Sequence, residues 1–365
     1  MKRILRVLQQ VQPERNPGCS KVGLIGSRGR FTFYQLHHIE VNMQRIINNI
    51  LADPKMKADI INILGSRNLS TQLNFNPEEV RDRLNRLDLG TETPPNQSGN
   101  ETITEAIVLL VGRPVLQVIH NTFEVPLSSE WQNRLGANRA NIEKAIPSVG
   151  RIEVKNHPDY DWLGTGWLVA DGVIVTNRHI ANAFAKKQPD QTLEFRHNFR
   201  NELMAARIDI REELGQPDEI EFKVQKVLFI AEEDGLDVAF LKVRATTEDG
   251  DPLPPPIKLA TSDPPSGTNV VVIGYPAKDS QSDFAEMERI FGSIYDVKRL
   301  APGQVFPTEQ PGILKHDCST LGGNSGSLVF DITTGEAVGL HFGGKHLEGN
   351  FAVSAAKVAE ILASL

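Results

Sequence analysis

The apolar positions change period along this chain, and the change divides it. From Gln35, residues Leu36, Ile39, Met43, Ile46, Ile47 and Ile50 recur at three- and four-residue steps, as one face of a helix requires. Asp53-Pro54 restarts the pattern, and Ile60, Ile61, Ile63 and Leu64 run up to Gly65, placed as a C-cap. Asn76-Pro77-Glu78-Glu79 opens a further helix, with Asn at the cap, Pro in the first turn and acids at the positive end of the dipole. Residues 1–90 therefore read as an α-helical interaction or regulatory module. Leu89–Glu101 (LGTETPPNQSGNE) has linker composition. Residues 91–145 read as linker and lead-in, with strand-type runs at Ala106–Leu110 and Pro114–Ile119 and helical spacing over Trp131–Ile146.

Beyond residue 145 the texture becomes short β-type runs between turns. The runs are Arg151–Val154, Gly166–Val169, Val173–Thr176, Val224–Ile230, Val238–Val243, Val270–Gly274, Leu328–Phe330 and Ala337–Phe342. Asp171-Gly172, Glu248-Asp249-Gly250 and Thr333-Thr334-Gly335 punctuate them, a pattern that predicts an all-β sandwich or barrel. Asp251–Pro256 (DPLPPP) cannot lie in a strand and divides this region into halves, each long enough to close a small barrel.

Composition narrows the partners. A net charge of −7 and a pI near 5.8 argue against nucleic acid or an anionic membrane as the main partner. Two cysteines in 365 residues exclude a disulfide scaffold and point to a reducing compartment. The start, MKRILRVLQQVQPERN, is a poor signal peptide, and no other segment is long and apolar enough to span a bilayer. The expectation is a soluble, cytoplasmic protein.

Candidate chemistry begins at LGGNSGSLVF, where Ser325 lies among Gly322, Gly323 and Gly326. A serine hydroxyl is a useful nucleophile when a base takes its proton and donors receive the oxyanion. The glycines let the N–H groups of Gly323 and Ser325 point into one small hole. Upstream, GTGWLVADGVIVTNRHIANAF delivers His179 at the end of an apolar run, and imidazole can take a serine proton near neutral pH and return it to a leaving amine. Asp237 opens the apolar run of GLDVAFLKV, so it should be partly buried and in need of a partner, and orienting the Nδ1–H of His179 is such a pairing. Asp234 lies in a solvated acidic run instead. An α/β-hydrolase is excluded, because position 327 is Ser where that elbow needs Gly, and a strand–turn–strand rather than a helix follows Ser325. His37 and His38 are adjacent and point apart on a helix, while His157, His197, His316 and His346 lack ligand spacing, so no metal and no cofactor are expected.

TGWLVADGVIVTNRHIA, LDVAFLKV, VVVIGYP and GGNSGSLVF together resemble a chymotrypsin-like serine protease of the bacterial type over residues 146–365. The resemblance implies two six-stranded antiparallel β-barrels with the site between them, His179 as base, Asp237 as orienter, Ser325 as nucleophile, and the Gly323 and Ser325 N–H groups as oxyanion hole. Asn324 stands where secreted zymogens carry an Asp that pairs with a freed N-terminus, so this site need not depend on such cleavage. Ser319, Thr320 and the run GLHFGG, including His341 and Gly343, would line the pocket for the residue before the scissile bond. These segments are similar to those of glutamyl endopeptidases, implying cleavage after Glu or Asp, with His341 expected to act as an imidazolium. A non-catalytic binding protein on the same fold is the competing reading.

Overall fold

By contacts the chain forms two units, residues 1–112 with 283–292 and 345–348 in one and the remaining residues in the other. The computed structural model describes residues 47, 49–64, 78, 82, 108, 111–216, 218–278, 291–345 and 349–365. In the first unit, α1 (Pro54–Leu64) is the helix that restarts at Asp53-Pro54. The Asp53 carboxylate accepts from the N–H groups of Lys55 and Met56, which caps the helix. Ile47, Ile50, Leu51, Met56 and Ile60 are buried, as one apolar face predicts. Val108, Val111 and Gly112 are helical, where a strand-type run was expected over Ala106–Leu110; a short apolar run alone cannot separate a strand from a buried helix. Most of the helices expected over 35–50 and 76–87 lie outside the described residues.

The second unit opens with β1 (Leu116–Ile119) and β2 (Thr122–Phe123), a hairpin whose His120 and Asn121 both have positive φ. The helical spacing over Trp131–Ile146 becomes α2 (Ser129–Ala137) and α3 (Arg139–Ala145). Ser128 caps α2 by accepting from the Trp131 N–H at 3.1 Å. Trp131 is fully buried, with the Arg113 and Arg134 guanidinium groups over its ring.

Next come β3 (Val149–Lys155), β4 (Trp162–Ala170), β5 (Val173–Thr176), α4 (Arg178–Phe184), the small hairpin β6 (Ala185–Lys187) and β7 (Leu193–Phe195), then β8 (Ala205–Asp209), β9 (Glu221–Ile230) and β10 (Ala239–Val243). Strands β3-β4-β5-β10-β9-β8 close into a six-stranded antiparallel barrel. Inward positions such as Ile152, Leu168, Ile174, Phe222 and Leu241 fill it, joined by Ile180 and Phe184 of α4. The second barrel uses β11 (Asn269–Gly274), β12 (Arg299–Phe306), β13 (Ile313–His316), β14 (Leu328–Asp331), β15 (Glu336–Lys345) and β16 (Gly349–Ser354), followed by α5 (Ala355–Leu362). Its order is β11-β14-β15-β16-β13-β12, closed by β11 on β12. The fold is therefore the expected pair of six-stranded barrels, and DPLPPP falls in the connection between them.

The lead-in is built into the second barrel. Strand β1 pairs antiparallel with β12, Leu116 opposite Leu300. Arg299, almost fully buried, donates to the Val115 and Leu116 carbonyls at 2.7 and 3.2 Å. Truncating Trp131 to Ala should cost about 3–5 kcal/mol, and Ser128→Ala about 1 kcal/mol, measured by urea unfolding. Because α2 shares a unit with the barrels, both losses should shift one cooperative transition; a separate early transition in the Trp131 variant would contradict this integration.

Candidate active site

Strand β5 ends at Thr176, and the chain turns at once into α4, which brings His179 to the surface in its first turn. The neighbours of His179 hold the Asp237 loop. The Asn177 amide donates to the Asp237 carbonyl at 2.9 Å, and Arg178 donates to the carbonyls of Gly235, at 3.1 Å, and Glu232. His179 Nδ1 lies 2.7 Å from Asp237 Oδ2, and the His179 backbone N–H donates to Oδ1 at 3.1 Å. The Asp237 side chain is 16% exposed, against 50% for His179. Burial would raise the Asp237 carboxyl, but the His179 hydrogen bonds and charge, helped by Arg178, hold it below the ordinary carboxylate value. An ionised Asp237 fixes the Nδ1–H tautomer and leaves Nε2 as the basic nitrogen. Asp234 is exposed, as its acidic run predicted.

Ser325 sits in a turn just before β14, and two glycines make that turn possible. Gly323 and Gly326 have φ of +81° and +82°. A Cβ on Gly323 would overlap the Tyr275 carbonyl and lie 2.6 Å from Trp162 Cη2; one on Gly326 would overlap the Thr165 carbonyl. Thr165, on β4 of the first barrel, holds both sides of this turn. Its N–H donates to the Ser325 carbonyl at 2.8 Å and its hydroxyl to the Gly323 carbonyl at 3.0 Å. Its hydroxyl accepts from the Tyr275 N–H, and its own carbonyl accepts from the Thr176 hydroxyl at the end of β5. The Gly322 carbonyl accepts from the Ala277 N–H at 2.6 Å. In a planar trans peptide this turns the Gly323 N–H the opposite way. Among the described residues, the N–H groups of Gly323 and Ser325 have no acceptor. The Asn324 side chain is buried and accepts from the Ser327 hydroxyl at 3.3 Å.

The expected pocket residues gather on the second barrel. Backbone bonds from Gly326 N–H to the His341 carbonyl (2.7 Å) and from His341 N–H to the Ser327 carbonyl (2.9 Å) hold β15 against the serine turn. The Thr320 hydroxyl donates to Asn350 Oδ1 at 2.7 Å, and the Asn350 amide donates to the Cys318 carbonyl at 2.6 Å. The Ser319 hydroxyl donates to the Arg113 carbonyl at 2.8 Å. Open space lies where a Gly343 side chain would be. His341 Nδ1 is 3.2 Å from Nε2 of His316, and both rings are buried. Burial lowers His316 to about 3. Burial, with His316 and His179 nearby, pushes His341 well below its ordinary value. The imidazolium expected at His341 is therefore a neutral ring here: among the described residues no carboxylate offsets the loss of solvation. Thr165, Asn350 and His316 were not singled out as site residues from the sequence. Only His316 carried a signal, as one of nine histidines.

One carboxylate cluster, Glu153, Asp209 and Glu212, has donor atoms within 4.8 Å of one another. Arg151 already bridges Glu153 and Glu212 at 2.5 Å each, and Arg207 reaches Glu153 at 2.7 Å, while Asp209 accepts from the Arg211 and Ile220 N–H groups, so these carboxylates already have partners. It lies outside the His179–Ser325 cluster.

The two buried imidazoles make stability depend on pH. In the unfolded chain they take up protons near pH 6.5; in the folded chain they do so only far lower. The unfolded state thus binds more protons below pH 6.5, and stability should fall as pH drops from 6.5 towards 3. NMR should find both rings neutral at pH 5.5, and His316→Phe should flatten the slope; a His316 titrating near pH 6.5 would contradict this.

The sequence model of the trypsin-like peptidase domain family matches residues 164–340. A probable serine protease of Lysobacter enzymogenes is 28% identical over 270 residues, 66% of this chain and 68% of that protein. Exfoliative toxin A of Staphylococcus aureus is 27% identical over 233 residues, 58% of this chain and 71% of the toxin. Among solved structures, the active form of the Rv3671c protease of M. tuberculosis is similar over 63% of this chain and 85% of its own, at 20% identity and a TM-score of 0.39. The chain thus folds as two six-stranded barrels of chymotrypsin-like type, and residues 164–340 within them are similar to the trypsin-like peptidase domain family.

Proposed function

We propose that this protein is a serine endopeptidase acting through Ser325, His179 and Asp237. The observation that carries the reading is the His179–Asp237 pair, with the Ser325 turn tied to the same barrel through Thr165. Ser325 Oγ attacks the peptide carbonyl as His179 Nε2 takes its proton, and the Gly323 and Ser325 N–H groups receive the oxyanion. The imidazolium, stabilised by Asp237, returns the proton to the leaving amine and leaves an acyl-enzyme. Water, activated by the same imidazole, then releases the acid and restores Ser325 Oγ–H. Asn324 is satisfied by Ser327, so the turn has an internal latch where a zymogen needs a freed amine. No helix of the described residues is long and apolar enough to cross a membrane. With a buried free thiol at Cys318, a cytoplasmic setting with protein or peptide substrates fits, and the N-terminal module would serve to recruit or regulate.

The substrate preference we propose is Glu, then Asp, before the scissile bond. Support comes from the hydroxyls of Ser319 and Thr320, the imidazole of His341, the open space at Gly343 and the absence of Asp or Glu among the pocket residues. Hydrogen bonds to a charged acceptor are about twice as strong as neutral ones, so a neutral His341 can still donate usefully to a carboxylate. In a peptide-library digest, the wild type should cleave mainly after Glu. Ser325→Ala should lose on the order of 10⁴–10⁶ in kcat, and His341→Ala should lose more on Glu than on Gln or Leu substrates. Ser325→Ala activity within tenfold of wild type would end the triad reading, and a profile dominated by Arg, Lys or aromatic residues would end the acidic preference alone.

A further inference from the structure

Arg113 is the first residue of the unit that holds both barrels, and it touches the segment leading to the nucleophile. Its Nη2 lies 2.6 Å from Asp317 Oδ2, and both side chains are only 3% exposed. The other Asp317 oxygen accepts from the Gln304 N–H of β12 at 2.8 Å. Two residues later, Ser319 donates its hydroxyl to the Arg113 carbonyl. Between them Cys318 is fully buried against Gly303 of β12, where a Cβ would lie 2.7 Å from Cys318 Sγ. Asn350 holds the opposite side through the Cys318 carbonyl and the Thr320 hydroxyl. Residues 317–320 are thus gripped from two sides, by a strand of their own barrel and by a residue more than 200 positions upstream. A buried carboxylate whose cation is removed is left uncompensated and seeks water, so the shape of this segment depends on Arg113 being seated.

We propose that Arg113 is a positioning residue for the substrate pocket, clamping residues 317–320 through the Asp317 ion pair and the Ser319 hydroxyl, so that the chain arriving from the N-terminal module sets pocket geometry. The inference rests on Ser319 and Thr320 lining that pocket. It gives the module a route to control binding without touching the triad. Movement of the chain at Arg113 loosens the pocket wall, while His179, Asp237 and the Thr165 contacts stay in place.

The test uses the full chain with Cys19→Ser, leaving Cys318 as the single thiol. Three rates are read: hydrolysis of a Glu-containing peptide, labelling of Ser325 by a small fluorophosphonate that needs no pocket, and modification of Cys318 by a thiol reagent. Arg113→Met should lower kcat/KM at least tenfold, chiefly through KM, and speed Cys318 modification at least tenfold. Fluorophosphonate labelling should stay within threefold, and Arg113→Lys should restore much of the loss. Unchanged hydrolysis, or labelling that falls in step with hydrolysis, would overturn the clamp. Should Arg113→Met fail to fold, Ser319→Ala removes only the second contact; a wild-type KM and an unreactive Cys318 in that variant would likewise overturn it. No labelling of the unmutated Ser325 would count against the serine-peptidase reading, and Cys318 protection would then judge the clamp by itself.

Discussion

The arrangement depends on one buried threonine. Thr165 belongs to the first barrel, yet its N–H and hydroxyl hold the carbonyls on either side of Asn324 in the second. Its carbonyl is held in turn by Thr176, three residues before His179. The path from the His179 segment to the Ser325 turn therefore runs through two hydroxyls and a backbone amide, all excluded from water. Buried hydroxyls left without partners carry a desolvation penalty of about 1–3 kcal/mol each, so the bonded arrangement is favoured over displaced ones. Positive φ at Gly323 and Gly326 completes it, because any Cβ there would strike the groups that hold the turn.

Charge is handled differently on the two sides of the cleft. In the first barrel Asp237 is kept ionised by His179 and Arg178, which suits the orienting role proposed for it. In the second barrel burial holds the imidazoles of His316 and His341 below their ordinary range, and among the described residues no anion offsets it. A neutral ring can donate a hydrogen bond to a carboxylate without carrying a resident charge. Near Ser319 the buried Arg113–Asp317 pair ties up the Asp317 carboxylate, so that group is not free to meet a basic side chain.

Local features of the site were legible in the sequence, and distant ones were not. His179, Asp237 and Ser325 each stand in short segments whose own pattern marks them, an apolar strand ending in His, an Asp opening a strand and a Ser among glycines. Eight barrel strands, and β1 before them, announced themselves by β-type residues. Strand β12 (RLAPGQVF) did not, because Pro302 and Gly303 break the pattern, although Pro302 still pairs opposite Val271 and Gly303 admits Cys318. Strands β8, β13 and β16 are short and weakly patterned, and tertiary pairing decides them. Thr165, Asn350 and Arg113 act on partners far along the chain, so nothing in their immediate neighbourhood reveals them. The lowered basicity of His341 comes first from burial and then from a ring 25 residues away, on a strand that the pattern did not show.

The most direct measurement is kcat for Thr165→Val, which keeps the side-chain shape and the backbone bond to Ser325 but deletes the hydroxyl shared by Gly323 and Tyr275. If that hydroxyl aligns the turn, kcat should fall roughly 10–100-fold, as about 1.4 kcal/mol per factor of ten and a penalty of 1–3 kcal/mol per unpaired group imply, with KM nearly unchanged and Thr165→Ser close to wild type. A kcat within twofold of wild type in a folded Thr165→Val protein would contradict the account.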